Sequence, residues 1–401
     1  MKKYVQIWCI GMLAILLQGC IREVPLEFED FDSFLIVDAT LTNELKPQQI
    51  ILSRYEQGEG SPLAEEGATV VVFEDGTAYD FVELENGVYQ SSTSFEIQQN
   101  RSYYLEITTR NGKRYRSSTE TLPATAELKS LYAEREVNDD GIEGVGMYVD
   151  GESTSTEAMF YRFDFEETFV VAPPYFTNDD VTLISGYPQC AVWVLNNSRS
   201  ESKRICYRTQ YAEGLNLLEL NNVSQSIIDR QLVRFISQQR YEISYRYSIK
   251  ANQYVLSEGA FRYYEKLDSF STEDNVFSQV QPGFVISNIT AVEDANELVV
   301  GYFDLSTITS KRIFFNYEDF FPGEPLPPFV DECILQAQLQ FPTNSAPRCG
   351  PLITVIESGS YLFVRPNNGE ISPGGPYIMA PRICGDCTVL GQPEPPDFWI
   401  D

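Results

Sequence analysis

From Phe34 to Leu122 apolar and polar residues alternate in short runs, and each run is cut off by residues that turn the chain. A period of two places alternate side chains on one face of a strand. The pattern therefore predicts strands over Phe34–Leu41, Gln48–Arg54, Ala68–Glu74, Tyr79–Leu84, Val88–Ser91, Tyr103–Thr109 and Lys113–Thr119. Gly58-Glu59-Gly60, Asp75-Gly76, Asn86-Gly87 and Asn111-Gly112 separate them. The Asp-Gly and Asn-Gly pairs accept the positive φ that a two-residue hairpin turn demands. Short strands at this spacing predict an N-terminal β-sandwich of immunoglobulin or transthyretin type over 34–122, closed by Pro123.

Beyond it the predicted strands are longer and more aromatic: Ala126–Arg135, Ala158–Phe169, Val181–Ser185, Ala191–Leu195, Arg204–Tyr211, Tyr241–Ser248, Phe284–Thr290, Glu297–Asp304 and Lys311–Asn316. Two stretches change period. Ser226–Ser237 sets Ile228, Leu232, Phe235 and Ile236 at helical spacing, and Asn252–Phe270 does so with Tyr254, Phe261, Tyr264 and Leu267. Each predicts a helix laid on a sheet, with its aromatic stripe serving as core rather than as a surface that stacks on a ligand. After Asn316, the runs Pro322–Pro328 and Pro373-Gly374-Gly375-Pro376 predict loops without ordered helix or long strand. The fold class expected is mainly β: the N-terminal sandwich, then over 123–401 a larger β-rich domain with one or two helices and a loop-rich, disulfide-bearing C-terminus.

The start of the chain carries an address. Lys2 and Lys3 precede an apolar run from Ile7 to Leu17, broken by Gly11, and Leu17-Gln18-Gly19-Cys20 closes it. This is the layout of a signal peptide over 1–19 with a lipobox: small Gly19 admits the peptidase, and Cys20 becomes the lipidated N-terminus. The run is too short to span about 30 Å of hydrocarbon. Acyl chains on Cys20 would anchor the protein to the outer membrane, each buried CH₂ contributing about 0.8 kcal/mol. Residues 20–33 then read as an acidic tether bearing Glu23, Glu27, Glu29, Asp30 and Asp32.

The whole chain holds 58 acidic against 29 basic residues, and loss of Lys2 and Lys3 takes its formal charge from −29 to −31. A field of that sign repels phosphate, so nucleic acid and anionic head groups are not expected partners. Histidine is absent, which excludes a Ser-His-Asp triad, a Cys-His dyad, a histidine-ligated zinc and a histidine base. Cys9 leaves with the signal peptide, and six cysteines remain besides Cys20: Cys190, Cys206, Cys333, Cys349, Cys384 and Cys387. An even number in an oxidising compartment predicts three disulfides, and proximity in sequence favours Cys190–Cys206, Cys333–Cys349 and Cys384–Cys387.

Cys384-Gly385-Asp386-Cys387 has the spacing of a redox pair or of half a zinc site. No helix is predicted after it to lower a thiol pKa, and no second close pair completes a tetrathiolate. Asn138-Asp139-Asp140-Gly141 and Asn178-Asp179-Asp180 gather oxygen atoms without the spacing of a calcium loop. No motif selects an acid and a base among the carboxylates, so no catalytic residue, metal or cofactor is expected. A carboxylate-dependent hydrolase of extracellular glycan or peptide, and a structural or adhesive surface protein, stand as alternatives to a binding role.

Several stretches, taken in order, are familiar together: Leu35-Ile36-Val37-Asp38, Tyr245-Arg246-Tyr247-Ser248 with the helix that follows, Phe277-Ser278-Gln279-Val280-Gln281-Pro282, Ser287-Asn288-Ile289, Leu298–Phe303, and the ending Cys384–Cys387 with Pro396, Phe398 and Trp399. With the lipobox they resemble a Bacteroidota outer-membrane lipoprotein family of unknown function, domain of unknown function 4249, over nearly the whole mature chain. Ser287 stands where that family usually has glycine. The resemblance implies a lipoprotein with no established catalytic residues, paired with a TonB-dependent transporter whose receptor carries a carboxypeptidase-regulatory-like domain, in capture or uptake of a ligand. Acidic residues after the lipidated cysteine are similar to the export signals of some Bacteroidota lipoproteins, which implies exposure at the cell surface.

Overall fold

A computed structural model describes residues 33–59, 61–153, 160–220, 226–272, 287–294, 297–342 and 347–400. The predicted signal peptide, Cys20, the tether up to Asp32 and the Phe277–Pro282 motif lie outside the described residues. In chain order the first strands are β1 Ser33–Thr42, β2 Gln49–Glu56, β3 Leu63–Ala64, β4 Thr69–Glu74, β5 Thr77–Glu85, β6 Val88–Ser91, β7 Ser102–Thr108, β8 Arg114–Ser117 and β9 Glu120–Thr121. There follow β10 Glu127–Val137, β11 Glu143–Ser153, β12 Phe160–Val171, β13 Asp180–Ser185, β14 Ala191–Leu195, β15 Cys206–Tyr211, β16 Asn216–Glu219, β17 Ser226–Ser237, β18 Arg246–Val255, helix α1 Glu258–Thr272, β19 Ile289–Ala291 and β20 Val299–Asn316. Short helices α2 Tyr317–Phe320 and α3 Pro351–Ser358 and the pair β21 Tyr361–Pro366 and β22 Tyr377–Pro381 complete the chain. The protein is mainly β, and among the described residues no helix is long and apolar enough to cross a membrane.

The N-terminal strands hydrogen-bond along the path β1-β2-β6-β5-β4-β7-β8 and curl around one core that includes Leu35, Val37, Ile50, Val70, Tyr103 and Leu105. In β1 the alternation works as read: Leu35, Val37, Ala39 and Leu41 are buried, while Asp38 is exposed. Asp75 and Asn86 hold φ of 44° and 40°, and Gly76 and Gly87 follow them with positive φ, as the tight hairpin turns require. This unit does not end at Leu122. β19 pairs with β8, and the first half of β20 pairs in parallel with β1. Val299, Phe303 and Leu305 thus enter the same core and cover edges that residues 34–122 alone would leave open. Gly301 is required in that pairing: its φ is 138°, and a Cβ there would stand 2.1 Å from the Val37 carbonyl oxygen.

β20 continues into the second half. Its residues Thr307–Asn316 pair with β18, β18 pairs with β12, and β12 pairs with β15 and β16. Against this sheet lies a second one, β10-β11-β17, and the two close a core in which Val145, Met147 and Val149 meet Phe163, Phe169 and Ile249. Glu167 is buried inside the sandwich; Tyr247 Oη donates to it at 2.5 Å and Arg234 Nε at 3.1 Å. The outer face of the β12–β18 sheet is covered by α1 at Phe160 and Leu256, and farther along by the chain end, where Arg312 lies 3.5 Å from the Phe398 ring centroid. Phe303–Ile308 of β20 are buried throughout as the strand passes from one core to the other.

Three expectations fail here. Ser226–Ser237 is strand β17, paired with β11 in two interruptions of register. Ile228 faces Gly151 and Gln231 faces Val149, then Leu232 faces Tyr148 and Arg234 faces Met147. Each interruption adds one residue to β17, and Arg230 in the first has φ of 53°. Such bulges break the period of two: of the residues set at helical spacing Ile228 and Ile236 are buried, whereas Leu232 is exposed and Val233 takes the inward place. The stretch Asn252–Phe270 is divided: β18 runs to Val255 and α1 begins at Glu258, with Phe261 and Tyr264 buried in the core as expected. After Asn316, where no ordered helix was expected, α3 forms between Pro351 at its first turn and Gly359, whose φ of 63° ends it. Proline and glycine mark helix ends there rather than a loop.

Candidate functional site

All six predicted cysteines are oxidised, but none pairs with its neighbour in sequence. The bonds are Cys190–Cys349, Cys206–Cys387 and Cys333–Cys384, across separations of 159, 181 and 51 residues. The pairing expected from proximity is wrong because tertiary contacts choose the partners. Cys206 opens β15, whose Tyr207 exchanges both backbone hydrogen bonds with Gln392, and this brings Cys387 to it. Cys384 and Cys387 lie in separate short helical turns and face different cores. Asp386 between them is buried; it accepts from Thr388 and pairs with Lys203 at 3.1 Å. Burial raises its pKa and those contacts outweigh burial, so the carboxyl is held below its ordinary range. Oxygen and sulfur atoms of Asp331, Cys333 and Cys384 cluster within 4.8 Å, but both sulfurs are spent on each other and are no longer thiolates that could ligate a metal.

The disulfide-bearing region carries an exposed hairpin. β13 and β14 pair antiparallel, and their alternation sorts the side chains onto two faces. Val181, Val192 and Val194 pack below against Leu352, Phe363 and Met379. On the opposite face of β14 Trp193 is 66% and Leu195 41% exposed, and Ile184 at the register interruption of β13 and Tyr187 in the turn are 61% and 58% exposed. Cys190 at the end of the turn is bonded to Cys349, and its carbonyl accepts from Gln340 Nε2 at 2.7 Å. The apolar face is therefore held on a covalently fixed base.

A buried ionic cluster lies where β20 crosses between the cores. Asp304 is fully enclosed; Ser306 Oγ donates to its Oδ2 at 2.7 Å, and its Oδ1 has no hydrogen-bond partner among the described residues. The guanidinium of Arg162, from β12, lies 4.4 Å from the Tyr254 ring centroid and 4.8 Å from that of Tyr264, whose hydroxyl meets Thr40 at 3.1 Å. Burial pushes the Asp304 carboxyl up to about 6, and Arg162 opposes that rise. Burial also opposes the charge on Arg162, but Tyr264 and Asp304 outweigh it and raise its pKa. Tyr254 and Tyr264 thus stack on the chain's own cation, a cation–π arrangement that joins α1 to the sheet. Sequence reasoning missed this pair; the signal was a lone carboxylate in the otherwise uncharged run Phe303–Ile308.

The acidic runs serve local structure. Asn138 Oδ1 accepts from the backbone of Asp140 and Ile142 and closes the β10–β11 turn, while Asp179 accepts from Asn197 and Asp180 pairs with Arg199. An open depression elsewhere is lined by Arg54, Glu65, Glu66 and Arg110, with Arg54 and Glu65 already paired at 2.5 Å.

Residues 21–312 match the family described as Domain of unknown function (DUF4249). The match takes in the hairpin and the ionic cluster and stops before Cys333, Cys349, Cys384 and Cys387. A search among curated proteins finds no match.

Proposed function

This chain belongs to the DUF4249 family, and on that premise we propose that it is a non-catalytic lipoprotein, anchored in the outer membrane through Cys20 and exposed at the cell surface, that serves as an accessory or ligand-capture partner of a TonB-dependent transporter. The observation that carries the reading is the hairpin. Its strands expose Trp193, Leu195 and Ile184 and its turn exposes Tyr187, while Cys190–Cys349 and the packing beneath tie the hairpin down. Aromatic side chains are enriched at protein interfaces, and a surface fixed before contact loses less entropy on binding. The lipobox at Leu17–Cys20 and the acidic stretch behind it support the address. The buried cluster favours binding over catalysis, because Asp304 is enclosed and the tyrosines beside it are engaged with Arg162.

The test is purification from the envelope in mild detergent. A β-barrel transporter should co-elute with the wild-type chain, and the double variant Trp193→Ala, Tyr187→Ala should lower its recovery by about tenfold, the loss typical of one hot-spot side chain or more. Recovery of the lipoprotein alone, under conditions that preserve known transporter complexes, contradicts the reading.

A further inference from the structure

We infer that this chain reaches its native disulfides through a thiol–disulfide isomerase, because the three bonds that form most readily in the unfolded chain are all non-native. Chain closure becomes rarer as roughly the three-halves power of the separation. Cys387 therefore meets Cys384, three residues away, far more often than it meets Cys206, 181 residues away. Cys190 meets Cys206 roughly 30-fold more often than Cys349, and Cys333 meets Cys349 roughly sixfold more often than Cys384. Export from the N-terminus adds to the bias, since Cys190 and Cys206 emerge before either native partner. An oxidase acting alone on the unfolded chain yields Cys190–Cys206, Cys333–Cys349 and Cys384–Cys387.

The native and consecutive sets interlock in one closed cycle, so a single catalytic thiolate converts one into the other. The isomerase thiolate attacks Sγ of Cys384, forms a mixed disulfide and releases the Cys387 thiolate. Cys387 attacks Cys206 and forms the native Cys206–Cys387 bond, releasing Cys190. Cys190 attacks Cys349 and releases Cys333. Cys333 then attacks the mixed disulfide at Cys384 and returns the enzyme thiolate. Four bonds form and four break, with no net oxidation, and the end state is the pairing of the folded protein. Cys190, Cys206, Cys384 and Cys387 are fully enclosed once folded, so the exchange must precede closure of the cores.

The mature chain, purified from the envelope, is unfolded and fully reduced, then returned to native buffer with a dithiol oxidase alone or with the oxidase and a catalytic amount of reduced isomerase. Linked peptides are mapped by mass spectrometry without reduction, a readout that does not depend on folding. The oxidase arm should be dominated by the Cys384–Cys387 and Cys190–Cys206 links. The isomerase should raise the native fraction at least fivefold, and an isomerase lacking its resolving cysteine should be captured on Cys384 or Cys387. Equal yields of native links in the two arms would overturn the inference.

Discussion

In the N-terminal unit, β4 and β7 bury Val70, Val72, Leu105 and Ile107 in one continuous core, and residues 33–122 contain no cysteine. In the region after Asn316, β21 and β22 contribute Phe363, Ile378 and Met379, and the clusters there are small, one of them built around Cys333, Ala380 and Cys384. Alternating strands that hydrogen-bond edge to edge in one curled sheet enclose a single core and need no covalent help. Short segments between proline and glycine turns cannot enclose a core of their own, and disulfides limit the conformations of the unfolded chain instead. The two regions also differ in purpose under the proposed function: the first is a scaffold, and the second fixes the base of the exposed hairpin.

Removing the longest-range covalent tie should have the largest effect. The double variant Cys206→Ala, Cys387→Ala opens a link across 181 residues, for which the chain-entropy model gives a loss of about 5 kcal/mol. Denaturant unfolding should show that loss concentrated in the C-terminal region, and an equal loss in β4 and β7 would break the comparison. Next comes Gly301→Ala. The Cβ would press on the Val37 carbonyl at a φ of 138°, so the N-terminal unit should lose about 4 kcal/mol or fail to fold. Retention of wild-type stability would mean that the β1–β20 pairing is not what closes that core.

The third effect is a pH dependence. The folded carboxyl of Asp304 has its pKa raised from 3.8 to about 6, so between those values the folded state binds the proton and the unfolded state releases it. Its contribution to stability is therefore fully present below pH 4 and is lost as pH rises through 6, by about 3 kcal/mol. Carboxyls held low, such as Asp386, act in the opposite direction. The quantity to measure is the difference between wild type and Asp304→Asn from pH 4 to 7. The wild type should lose stability relative to the variant over that interval, and parallel profiles would show that burial does not raise the Asp304 carboxyl above its unfolded value. Smallest is Trp193→Ala, which should change stability by no more than about 0.5 kcal/mol because the side chain is 66% exposed. Transporter recovery should fall nonetheless, and a large stability loss would place Trp193 in the core instead.

Much of the first region could be read directly. The predicted strand Phe34–Leu41 is β1 within a residue at each end, and the Asp75-Gly76 and Asn86-Gly87 turns lie where they were expected. Alternation and turn chemistry are local, and local signals survive folding. What eluded the sequence was long-range or interrupted. Strand β11 was missed because Gly144, Gly146 and Gly151 dilute its pattern, and at Gly144 close approach demands glycine: a Cβ there would stand 2.3 Å from the Ile236 carbonyl oxygen. β17 imitated a helix through its bulges. β20 looked like two strands because Ser306, Thr307 and Ser310 interrupt its apolar run between the two cores. Of the candidate site, the cysteines and the hairpin strands were visible, and Asp304 stood out as a lone carboxylate in an uncharged run, but neither the disulfide partners nor the pairing of Asp304 with Arg162 could be read, since both join residues far apart in the chain.

Hydrogen exchange on one sample, before and after reduction at neutral pH, tests the division between the regions most directly. Local protection reports the opening free energy of each segment. Reduction should abolish protection in β13, β14, β21 and β22 while leaving β4 and β7 as slow to exchange as before. Loss of protection in both regions together, or its persistence in β21 and β22, would contradict the account.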